Sequence, residues 1–88
     1  MTSNQHHFVM LPSIENEEWL KIVTGSVNPQ IHSHLLKIKI ATLKQKVKRK
    51  MITPEEAVRE LYGDCVRHQD IYQKDLHQIF KKEKNRSL

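Results

Sequence analysis

Ile52-Thr53-Pro54-Glu55-Glu56-Ala57-Val58 is the stretch whose reading decides the fold. Thr53 can cap a helix with its hydroxyl, Pro54 suits a first turn whose N–H has no intrahelical partner, and Glu56 stands where a capping box needs its carboxylate. The spacing therefore predicts a helix that starts at Thr53 and runs to about residue 82. Along it Val58, Leu61, Cys65, Tyr72, Leu76 and Ile79 recur three, four or seven residues apart, which makes one stripe of a helix and no pleat. Gly63-Asp64 interrupts the pattern without shifting its phase, so one helix with a kink at Gly63 is expected.

Upstream, Asn28-Pro29 repeats the signal of cap then proline and predicts a second helix over 28–50. Its apolar residues form two rows, Ile31, Leu35, Ile38 and Thr42 in one and Leu36, Ile40, Leu43, Val47 and Met51 in the other. The rows lie roughly 140° apart, so two faces want burial. Leu36-Lys37-Ile38-Lys39-Ile40 also alternates as a strand would, but helical spacing continues to Leu43 and Val47 with no Gly or Pro before Pro54. Ser13 can cap a short helix over 13–23 that buries Trp19, Ile22 and Val23, with Gly25 as its stop.

The fold these signals predict is all-α: a short N-terminal helix, then a tight antiparallel αα-hairpin of two long helices, completed as a bundle by dimerisation or by docking on a partner. At 88 residues a single small core leaves stability marginal, which favours self-association as a homodimer. Residues 1–12 read as a flexible segment, with a Phe8-Val9-Met10-Leu11 cluster able to pack on the body. Residues 13–82 form the helical domain and 83–88 a charged tail. Two Gly and five aromatic residues leave an all-β fold short of turns and strand formers.

Fifteen Lys plus Arg against ten Asp plus Glu give a net charge of +5, which favours anionic partners. One cysteine excludes an internal disulfide and fits a reducing compartment, and no apolar run is long enough for a signal core or a membrane span, so a cytoplasmic or nuclear protein is expected. The charge is concentrated in Lys37, Lys39, Lys44, Lys46, Lys48, Arg49 and Lys50, with no acidic residue between Glu18 and Glu55. Lysines without interleaved aromatics suit contact with a phosphate backbone better than base reading or stacking. The same run also serves as a solvated face that keeps a protein soluble. The basic helix is the middle one, whereas helix-turn-helix readers put theirs last.

Chemistry beyond binding finds little support. Cys65 and His68 share a helix face and His32 or His34 lies across the hairpin, yet four tightly spaced metal ligands are missing and Cys65 sits on the core stripe. A buried thiol with no oxyanion element is a poor nucleophile. The expectation is a small non-enzymatic regulatory binding protein with no catalytic residues, metal, cofactor or small-molecule substrate. Its basic helix-two face contacts nucleic acid. The alternative is an adaptor or inhibitor that docks a protein through the helix-three stripe and uses the cations to steer toward an acidic surface. The interface set is Ile31, Leu35, Ile38, Val58, Leu61, Tyr72, Leu76 and Ile79.

Overall fold

The computed structural model describes residues 11–86, with side chains through Phe80. It consists of four helices, α1 (Glu17–Thr24), α2 (His34–Lys48), α3 (Pro54–Arg67) and α4 (Gln69–Arg86). No strand occurs among the described residues, so the alternating stretch 36–40 is helical. The expectations for residues 1–10 lie outside the described residues, while Leu11 is half-buried against the core. The helix expected to end near residue 82 continues to Arg86.

Helix α1 packs on both α2 and α3, which also pack on each other, and α4 packs on α3. The core takes Trp19, Ile22 and Val23 from α1, and Leu36, Ile40 and Leu43 from α2. To these α3 adds Ala57, Val58, Leu61 and Cys65, and α4 adds Tyr72, Leu76 and Phe80. Trp19 is its hub. The indole lies 5.3 Å from the Tyr62 ring in an edge-on contact and 4.9 Å from Phe80, and its Nε1–H donates to the Ser13 carbonyl at 3.0 Å. A buried Trp is tolerated when its one donor is satisfied in this way.

The capping box of α3 forms as the sequence predicts. The Thr53 hydroxyl accepts from the Glu56 N–H at 3.1 Å and the Glu56 carboxylate accepts from the Thr53 N–H at 2.9 Å. Gly25 ends α1 in left-handed backbone with φ 83°, also as expected. The cap of α1 is Asn16 rather than Ser13, because the Asn16 side chain accepts from the Glu18 N–H at 2.8 Å. The Ser13 carbonyl, three residues earlier, instead receives the Asn16 N–H and the Trp19 indole.

Two boundaries differ from expectation for tertiary reasons. Helix α2 begins at His34, not at Pro29. The buried carboxylate of Asp75 on α4 accepts the backbone N–H of His32 at 2.7 Å and of Ser33 at 2.8 Å, holding the chain outside the helix until that point. Asn28, the expected cap, accepts from Lys44 Nζ at 2.9 Å instead.

The long third helix is two helices, and the break is at His68, not at Gly63. Gly63 lies inside α3, where an added Cβ would meet only the Arg67 guanidinium at 3.5 Å. At His68 the backbone turns out of helical geometry, with ψ 34°. The turn brings the Tyr72 hydroxyl within 2.9 Å of the Asp64 carboxylate, a pair whose Cα atoms would stand about 12 Å apart along a straight helix. It also lays Phe80 on Trp19.

Two stability measurements check these assignments. Asp75→Asn removes the charge and presents an amide N–H₂ to one of the two backbone donors, so urea unfolding is expected to show a loss of about 1–3 kcal/mol. Gly63→Ala replaces glycine inside a helix with room for the methyl group, and the same measurement is expected to show a gain of about 0.5–1 kcal/mol.

Candidate functional site

Helix α2 and the turn after it carry all seven cations singled out in the sequence, but they do not share one face. At 100° per residue Lys37, Lys44 and Lys48 fall within about 40° of one another, and Lys39 and Lys46 lie roughly 180° around the axis from them. The buried row Leu36, Ile40 and Leu43 lies between the two sets on the inner side. On the outer side lie Leu35, Ile38, Ala41, Thr42 and Gln45, all exposed. The helix thus shows solvent an uncharged ridge with a row of lysines along each edge.

Neighbouring elements hold some of these lysines. Lys39 forms an ion pair with Glu60 of α3, Nζ to carboxylate oxygen at 3.0 Å. Lys44 is tied to Asn28. Lys37, Lys46, Lys48, Arg49 and Lys50 have no ion-pair partner among the described residues. Four of these five cluster within residues 46–50.

That cluster owes its shape to the way α2 stops. Arg49 is the C-cap, the Lys50 N–H donates to the Val47 carbonyl at 3.0 Å, and the Met51 N–H donates to the Lys46 carbonyl at 2.9 Å. This pair of bonds is the Schellman closure, which requires left-handed backbone at the residue after the cap. Lys50 supplies it with φ 61°, alone among the described non-glycine residues. Glycine is the usual choice there, since a side chain in this conformation costs on the order of 1 kcal/mol. A cation therefore occupies a position where backbone energetics favour glycine, at the negative end of a helix dipole that favours positive charge.

The interface residues expected from sequence divide by burial. Val58, Leu61, Tyr72 and Leu76 are enclosed in the chain's own core, because α1 and α2 cover the α3 stripe and α4 folds back beside it. Ile79 and Ile31 are half-buried, and Phe80 takes the inward position beyond Leu76. Leu35 at 56% exposure and Ile38 at 50% are open to solvent.

Cys65 is 1% exposed, and burial first, then the neighbouring Asp64 carboxylate, push its thiol up to about 12. His68 does not approach it as a base. Its Nδ1 lies 3.1 Å from the Asp64 carbonyl and 3.3 Å from the Asp64 carboxylate, and its ring packs on Tyr72. Burial first, then the hydrogen bond to Asp64, also push the Tyr72 phenol up to about 12. Among the described residues no group of three or more His, Cys, Asp or Glu is placed to hold a metal ion, and no helix is long and apolar enough to cross a membrane. An open groove of about 320 Å³ lies against Glu18, residues 27–30, Gln78 and Ile79.

Sequence reasoning missed the two buried carboxylates, Asp64 and Asp75. Their signal was phase: Asp75 lies three residues from Tyr72 and one from Leu76, an acid inside an apolar stripe. Comparison of the chain with protein-family models, curated proteins and solved structures finds no match in any of the three.

The thiol and the phenol set the response to alkali. Both titrate higher in the folded chain than unfolded, so the folded state keeps its full stability below about pH 9 and loses it as the pH rises toward 12. Urea midpoints are expected to be level from pH 7 to 8.5 and to fall from pH 9.5 upward. Cys65 is 1% exposed and its thiol is held protonated by burial, so at pH 8 a disulfide reagent is expected to label it in urea and leave the folded protein unmodified.

Proposed function

We propose that this chain is a small non-enzymatic regulatory binding protein whose α2 cations contact the phosphate backbone of nucleic acid. The observation that carries this reading is the group Lys46, Lys48, Arg49 and Lys50. It has no carboxylate partner among the described residues, and one member is held in backbone that suits glycine. Four cations close in sequence at one helix end raise the local positive potential, and a phosphate backbone passing that end lowers it.

The kind of contact follows from residue type. Lysines present rotatable point charges rather than a planar fork, and no aromatic ring is interleaved with them for stacking. Backbone neutralisation with little choice among sequences is the mode this supports. The adaptor reading through the α3 stripe is the weaker one, since Val58, Leu61, Tyr72 and Leu76 already fill the core.

A salt titration of binding to duplex DNA and to RNA tests the proposal. Log affinity is expected to fall linearly with log salt, with a slope of about 0.9 per duplex phosphate contacted. The paired variant Lys48→Glu and Arg49→Glu is expected to weaken binding at least tenfold on every sequence alike, with unchanged circular dichroism. Absence of binding to both nucleic acids at low salt overturns it.

A further inference from the structure

The outer ridge of α2 is a second surface that phosphate binding at residues 46–50 leaves unexplained. Leu35 and Ile38 stand on one exposed face, a turn apart, and Ala41, Thr42 and Gln45 continue it without a charge. Lys37, Lys44 and Lys48 run along one edge, Lys39 and Lys46 along the other. We propose that this ridge is a docking surface for an acidic amphipathic helix of another protein, one with an apolar stripe flanked on both sides by glutamate or aspartate.

Charge selects that occupant. A second copy of this chain would lay one ridge on the other, and since both edges are cationic, every face-to-face arrangement sets lysines opposite lysines. Like charges across an interface oppose association strongly. A nucleic acid backbone matches the edges but meets Leu35 and Ile38 with charged phosphate, which leaves their apolar surface unsatisfied. A helix with one apolar stripe between two acidic rows satisfies both the ridge and its edges, in the geometry by which amphipathic helices pack side by side. Lys39 can exchange Glu60 for a partner carboxylate, because that ion pair is surface-exposed and weakly held.

The test uses the full chain, isotopically labelled for amide NMR, and a synthetic peptide of about 18 residues with leucines at helical spacing and glutamates on both flanks. Amide shifts are expected to concentrate within residues 35–48. Affinity is expected to fall at least tenfold in the double variant Leu35→Ser and Ile38→Ser, and a peptide with lysines in place of the glutamates is expected not to bind. Leu35 and Ile38 are exposed, so the variant should keep the parent circular dichroism, and its affinity for duplex DNA should be unchanged if DNA binds at residues 46–50. No binding of the acidic peptide overturns the proposal, as does equal binding of the lysine-flanked one. Two further results also overturn it: a dimer in sedimentation that dissociates in the Ile38→Ser variant, or duplex DNA shifting the Leu35 and Ile38 signals more than the peptide does.

Discussion

One buried carboxylate sets the geometry on which the other helices depend. Asp75 is 1% exposed, and both of its oxygens are occupied by backbone N–H groups of residues far away in sequence. A charge so enclosed is tolerated only when hydrogen bonds replace the water it lost, and two short charge-assisted bonds do that. They join α4 to the segment immediately before the start of α2. Without that anchor the Asn28-Pro29 signal has no local competitor.

The second constraint is the turn at His68. A continuous α3 and α4 would carry Tyr72, Leu76 and Phe80 away from the core as a long, half-naked helix. The turn returns them to it, with Phe80 on Trp19 and Tyr72 bonded to Asp64. The chain thereby encloses residues from all four described helices in one core. The price is a second buried carboxylate, and Asp64 is satisfied by the Tyr72 hydroxyl, with Arg67 and His68 beside it.

With the core closed, the outside of α2 is left to solvent. Rigid packing of its inner row holds the outer face in fixed register, so lysine edges and uncharged ridge are presented together. The left-handed Lys50 then turns the last cations out at the helix end. Lysine edges flank exposed Leu35 and Ile38 near the start of the helix, and further cations gather where it stops.

What the residues determined unaided is local. Helical periodicity, the Thr53 capping box, the Gly25 stop and the list of cations depend on neighbours within a few positions, and each is legible because its energy is settled within one or two turns. The start of α2, the break at His68 and the inward turn of the α3 stripe were decided by contacts between residues as distant as Ser33 and Asp75. Local pattern is blind to those, since a carboxylate that will be buried reads the same as one that will be wet. The division of five lysines into two rows was present in the spacing, but which side of the helix faced water, and so what lay between the rows, only the packed tertiary structure decided.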